Sequence, residues 1–287
     1  MKKGNREYKS DVFSMLLEYP ENALSLFNAM NSSTYTDPSI VEFKKLENSI
    51  SLTVRNDASF IVDNVLSLYE HQSTICPNMS LRILYYVSDI LKKLTNDFDV
   101  FGKKLIQIPT PHFAVFYNGV DAQPEVTTQR LSDSFMHSEE IPELELICKV
   151  YNINPGYNDN LFSKCRFLYE YMVFIEYVRE NISTYGMENL EKALSDAIDR
   201  AIDDDILKVF LLERRPEVMK VMVLDYTYER RIELTKRDYR EEGRKEGRKE
   251  GRQETLIELV RKGLLQIPDA ASLAGVTENE FDALIRQ

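Results

Sequence analysis

The sequence predicts a mixed α/β fold with a largely helical C-terminal half. Three observations lead there. Residues 56–72, NDASFIVDNVLSLYEHQ, read as a β-hairpin; two more strand-like runs follow after an intervening helical pattern; and from residue 161 onward the apolar positions recur at helical spacing. A strand–helix–strand order that begins with a hairpin suits a sheet in which the later strands add to the hairpin.

Residues 8–30 come first. Val12, Phe13, Leu16 and Leu17, then Ala23, Leu24, Leu26 and Phe27, keep helical spacing and are broken by Pro20, which predicts two short helices. Asp11 stands in the first turn of the first, where the helix dipole favours a carboxylate. In the hairpin, Ala58, Phe60, Ile61 and Val62 form one arm and Val65, Leu66, Leu68 and Tyr69 the other, with Asp63-Asn64 as the tight turn. A turn centred there sets Asp57 across from Glu70 and Arg55 across from Gln72. Side chains alternate between faces, so Asp57, Glu70 and Gln72 project to one side and His71 to the other. Directly opposed side chains hold their Cβ atoms roughly 4.5–5.5 Å apart. Two carboxylates that close repel each other, and a divalent cation removes the conflict. A different register would instead leave two surface acids splayed apart.

After the hairpin, Pro77 opens a helical pattern through Met79, Leu81, Ile83, Leu84, Val87, Ile90 and Leu91 to about Lys93. Arg82 lies within two turns of the strand end, where it either reaches a phosphate or is a solvated helix arginine. Residues 112–118 and 144–153 read as strands, separated by a polar segment, 119–143. Amphipathic helices are expected over 161–180 and 187–202, and a third, with Pro216 near its start, to about Tyr239.

Residues 241–254, EEGRKEGRKEGRQE, repeat a four-residue unit and place Gly243, Gly247 and Gly251 four apart. Each interior helical Gly costs about 1 kcal/mol relative to Ala, and Glu stacks on Glu and Arg on Arg at i,i+4. The segment is either a linker or, against a second copy, a helix whose glycine stripe allows close approach and supports a homo-oligomer. Beyond it, Asp269 is placed to cap one short helix that Gly275 ends, and Thr277 with Glu280 forms a capping box for another. This helix-turn-helix-like spacing has an acidic second helix (Glu278, Asn279, Glu280, Asp282), which suits packing or oligomerisation better than base reading. The domain boundaries this predicts are 1–155, 156–240, 241–254 and 255–287.

The string NDASFIVDNVLSLYEHQSTICPNMSLRILYY, with YKSDVFSMLL, IPTPHFAVFYNG and LELICKVYNIN, resembles the recombination-promoting nuclease/transposase (Rpn) family, a bacterial branch of the PD-(D/E)XK nuclease superfamily. The matches span residues 8–154. The resemblance implies a restriction-endonuclease-like core and a DNA endonuclease linked to recombination, mobile elements or phage defence. It places Mg2+ or Mn2+ on Asp57 and Glu70, with Asp11 completing the site. Gln72 stands where the wider superfamily has lysine, and Arg55 and Arg82 would touch the phosphodiester. A glutamine supplies no positive charge. A catalytically silent nuclease-fold module, used for binding or oligomerisation, is the alternative.

Composition bounds these readings. The 287 residues are 43% hydrophobic and 29% charged, as in an ordinary globular protein. The net charge of −11 means that phosphate binding must rest on a local basic group or a metal. Arg55, Arg82 and Lys103-Lys104 are the basic candidates, and they are scattered. Cys76, Cys148 and Cys165 lack zinc-site spacing and suggest reduced thiols. The opening stretch has neither a clean apolar core nor a cleavage site, and no run is long enough to span a membrane, so a cytoplasmic location is expected. With three histidines (His71, His112, His137), no G-x-S-x-G and no Gly-rich phosphate loop, triad and P-loop chemistry have no motif behind them.

Overall fold

Asp63 and Asn64 both adopt left-handed backbone angles, φ 46° and 62°. That pairing matches the right-handed twist of two antiparallel strands and fixes their register. In the computed structural model, which describes residues 12–44 and 58–285, the turn joins strand Ala58–Val62 (β2) to Val65–Gln72 (β3), after a short strand Glu42–Phe43 (β1). Val62 faces Val65, Phe60 faces Ser67 and Ala58 faces Tyr69, the register expected from the sequence. The Tyr35 hydroxyl donates to the Asp63 carboxylate, and the Asn64 carbonyl accepts the Thr110 amide, tying the turn to the next strand.

The sheet has six strands in the order β1-β2-β3-β4-β6-β5, where β4 is Thr110–Tyr117, β5 Val126–Arg130 and β6 Ile147–Asn152. The first three run antiparallel; β3, β4 and β6 are mutually parallel; β5 returns antiparallel to β6. Parallel neighbours need a crossover. Helix Met79–Leu94 (α3) supplies it between β3 and β4, beginning and ending close to the expected positions.

The sheet is covered on both faces, so β2 is buried along its whole length and the central strands are close to continuous apolar runs. On one face α3 packs Met79, Ile83, Tyr86, Val87 and Ile90 onto Leu66, Leu68, Val115 and Cys148. On the other, aromatic rings interlock: Tyr69 meets Phe60 and Phe116 edge-on, and Phe13 packs against Phe116 and Tyr171. Phe13 comes from helix Val12–Leu16 (α1), and Tyr171 from Arg166–Tyr185 (α5). Between these lie Pro20–Asn31 (α2), which takes the separating proline into its first turn, and Asp159–Lys164 (α4). Helix Leu190–Asp203 (α6) buries Ala193, Leu194, Ala197, Ile198 and Ala201, a stripe at helical spacing.

The polar segment 119–143 holds more order than its hydropathy suggests. It contains β5, whose residues VTTQR alternate exposed and half-buried, and a 3-10 turn over Leu131–Ser134. An edge strand with one wet face needs few apolar residues, so hydropathy does not flag it. The helix expected to end near Tyr239 instead spans Lys208–Arg261 (α7), through Gly243, Gly247 and Gly251. It is interrupted at Arg214 (φ −116°, ψ 20°), two residues before Pro216. A proline that cannot donate a backbone hydrogen bond is thereby tolerated early in the second segment.

The chain divides into two units, Met1–Asp225 and Tyr226–Gln287. In the second, Ile267–Ala274 (α8) and Glu278–Ile285 (α9) pack around Leu256, Ala270, Ala271 and Phe281. Gly275 ends α8 at φ 71°, and the Thr277–Glu280 box is formed as expected: the Thr277 amide donates to Glu280 Oε2 at 2.8 Å, and the Glu280 amide to Thr277 Oγ1 at 3.3 Å. Asp269 is not the cap of α8. Gln266 holds that position and Asp269 sits in the first turn, because Pro268 is taken into the start of the helix. Among the described residues, no helix is long and apolar enough to cross a membrane.

The turn supplies a direct test of the register. Asn64→Gly should raise the unfolding midpoint, adding up to about 1 kcal/mol, whereas Asn64→Val should remove about 1–2 kcal/mol, since a β-branched residue resists the left-handed region. Urea unfolding of both variants against wild type measures the order.

Candidate functional site

Alternation along β3 sorts its side chains between two different environments. Leu66, Leu68, Glu70 and Gln72 face α3, while Tyr69 and His71 face the aromatic layer. The first two turns of α3 lie over the end of β3 and bring three side chains to it. Gln72 Nε2 lies 2.6 Å from Met79 Sδ. Arg82 Nη2 lies 3.2 Å from Glu70 Oε2. One turn further, the Tyr86 hydroxyl accepts from both Arg82 Nε, at 3.2 Å, and Arg82 Nη2, at 2.8 Å. Arg82 and Tyr86 are four apart on the helix and so share a face.

The pair is asymmetric in depth. The Glu70 side chain is 2% exposed and that of Arg82 is 41% exposed. A carboxylate this deep requires partners, because an uncompensated buried charge costs several kcal/mol. Burial acts to lower the Arg82 pKa, but the Tyr86 oxygen and the Glu70 charge outweigh it and hold the guanidinium above its ordinary value. The group is therefore a permanent cation at the mouth of the site. Cys148, on β6 and so one strand beyond β4, feels the same carboxylate: burial first, and then the Glu70 charge, push its thiol up to about 12.

His71 lies on the far side, as the parity of the hairpin requires. Its ring stacks on Phe13 at 5.3 Å, and its Nε2 lies 3.0 Å from the Tyr171 hydroxyl, which also accepts from Asn118 Nδ2 at 3.3 Å. Arg179 of α5 reaches the Asn118 carbonyl and Asn154 Oδ1, closing the ends of β4 and β6. This is a structural seam between sheet and helix. His112 Nδ1 is likewise engaged, 2.8 Å from Asn31 Oδ1.

Of the six residues the sequence nominated, the structure brings Glu70, Gln72 and Arg82 together. Asp11, Arg55 and Asp57 lie outside the described residues; the last described pair of the hairpin is Ala58–Tyr69. Tyr86 was missed by the sequence reading. Its signal was the spacing of four from Arg82. Among the described residues, no cluster of three or more His, Cys, Asp or Glu is arranged to hold a metal. What is present suits a hard cation in kind. Glu70 offers carboxylate oxygens, and the Gln72 carboxamide, whose Nε2 meets the Met79 thioether, carries an oxygen acceptor as well.

Compared with protein-family models, curated proteins and solved structures, the chain matches none.

The thiols give a test of this packing. Burial also pushes Cys165 up to about 11, against a smaller opposing effect of the Ser25 hydroxyl 3.7 Å away. At pH 8 a thiol reagent should therefore modify the partly exposed Cys76 first, and Cys148 and Cys165 only on unfolding. The native state keeps two protons that the unfolded chain releases near the ordinary value of 9.0. Stability from these thiols is complete below that pH and is lost as the pH rises toward their native values. Reagent kinetics with and without denaturant, and urea midpoints taken up the alkaline range, measure both effects.

Proposed function

We propose that this chain is a metal-dependent DNA endonuclease of the Rpn type, working in the cytoplasm on a restriction-endonuclease-like core. The observation that carries the reading is the deeply buried Glu70 carboxylate at the end of β3, on one face with Gln72 and beside Arg82. A buried acid paired to a cation at the end of a central strand is the kind of group that serves chemistry more often than stability. The succession of antiparallel hairpin, covering helix and parallel strand accords with the nuclease core that the resemblance implies. The hairpin register is the one on which the two-carboxylate reading was built.

In this reading Glu70 and Asp57 hold Mg2+ or Mn2+, with Asp11 acting through water. A bound cation would supply a water of lowered pKa and charge stabilisation at the scissile phosphate. Gln72 would orient that water by hydrogen bonding. Arg55 and Arg82 contact the phosphodiester, which gives an acidic chain the local positive charge it needs for a polyanion.

A second reading, a silent nuclease-fold module, draws on two observations. Gln72 provides no cation, and α7 runs as helix through a repeat whose Gly247 and Gly251 have open space beside them, as close approach of a second copy requires.

Supercoiled plasmid incubated with Mg2+ or Mn2+ separates these readings. Glu70→Gln should lower cleavage on the order of 10²–10³-fold while the fold is retained by circular dichroism. Cleavage unchanged by Glu70→Gln removes the hairpin site. No cleavage by wild type, with linear and single-stranded DNA also tried, favours the module.

A further inference from the structure

The nuclease reading leaves one charge unaccounted for: at position 72, where the superfamily that the chain resembles usually has lysine, this chain has an uncharged glutamine. The structure places a cation beside the acid from a different element. Arg82 descends from the second turn of α3, its own amide bonded to the Asn78 carbonyl at 3.0 Å, and its guanidinium meets Glu70.

The guanidinium's contacts are unequal. Two nitrogens donate to the Tyr86 hydroxyl, the shorter at 2.8 Å, whereas a single 3.2 Å contact joins it to Glu70. Charge-assisted N–H···O bonds are about 2.7–2.9 Å when well formed, and the strong arginine–carboxylate arrangement is bidentate. Arg82 is thus anchored by Tyr86 and lightly tied to Glu70. Giving up Glu70 leaves the anchor intact. With 41% of its side chain exposed against 2% for Glu70, it is the arginine rather than the acid that a ligand arriving from solvent can reach. Its planar fork fits a phosphate at two oxygens.

We propose that Arg82 exchanges partners: it neutralises Glu70 in the resting protein and moves to the DNA phosphate when Glu70 takes a divalent cation, supplying the charge that Gln72 lacks. The inference rests on the nuclease reading above. A carboxylate shared by a guanidinium and a divalent cation puts two positive charges against each other, so occupancy of one weakens the other. A phosphate that accepts Arg82 relieves the competition. Cation and DNA therefore bind with positive coupling, and part of that coupling runs through Arg82.

The test titrates MnCl2 into the full chain by isothermal calorimetry, with and without a short phosphorothioate duplex that resists cleavage. Wild type, Arg82→Met and Arg82→Gln are compared; the glutamine keeps a donor for Glu70 and guards against a variant that fails to fold, checked by circular dichroism. Without DNA, either variant should bind Mn2+ on the order of tenfold more tightly than wild type, the scale of one charge-assisted contact. The factor by which the duplex tightens Mn2+ should fall by a similar amount. Unchanged Mn2+ affinity in both variants, or undiminished coupling, overturns the exchange while leaving the metal site standing. Wild type that takes up no Mn2+, with or without duplex, removes the metal reading itself and the exchange with it.

Discussion

Two successive left-handed residues, Asp63 and Asn64, decide which face of the sheet receives Glu70. A strand has a side-chain period of two, so a register shift of one residue would exchange its faces. Tyr69 and His71 would then meet α3, and Glu70 and Gln72 would be driven among Phe13, Phe116 and Tyr171, away from Arg82. The turn is also joined to β4, whose Thr110 amide bonds to the Asn64 carbonyl. Because β3 pairs with β2 on one side and β4 on the other, the parallel half of the sheet takes its alignment from the same two residues.

Given that face, the site follows from electrostatics. A carboxylate removed from water must be matched, and α3 matches it with a guanidinium held at the correct height by Tyr86. Such a pair adds little net stability, since the desolvation of Glu70 offsets much of the attraction. It does restrict how α3 lies on β3, because only one rotation of the helix brings Arg82 to the acid while Met79, Ile83 and Ile90 remain buried. The opposite face is organised differently, by ring packing and by the His71–Tyr171–Asn118 chain, with its polar groups turned toward one another. The buried ion pair and the aromatic seam thereby stand on different sides of one strand.

Much of this was legible in the residues. Alternation in 58–72 with Asp-Asn at the middle specifies a hairpin and its register, Pro20 separates two helices, and the Thr277–Glu280 spacing marks a helix start. Each is a local rule acting over a few residues. Strand β5 was not legible because an edge strand needs only one apolar face, and VTTQR supplies little of it. The path of α7 through the glycine repeat was not legible because helix propensity there is poor, so local rules favour a linker over a helix.

By itself, then, the sequence determined the class of fold, the hairpin and the side of it on which Glu70 and Gln72 stand, since these depend on turn stereochemistry and a two-residue period. Only the tertiary structure decided what meets them there. Whether Arg82 points to solvent or to Glu70 depends on the rotation and height of α3 against the sheet. That is set by how Met79, Ile83, Val87 and Ile90 pack on Leu66, Leu68 and Val115. Packing between elements distant in sequence leaves no periodic trace in either one, which is why the partner of the buried acid is visible only in three dimensions.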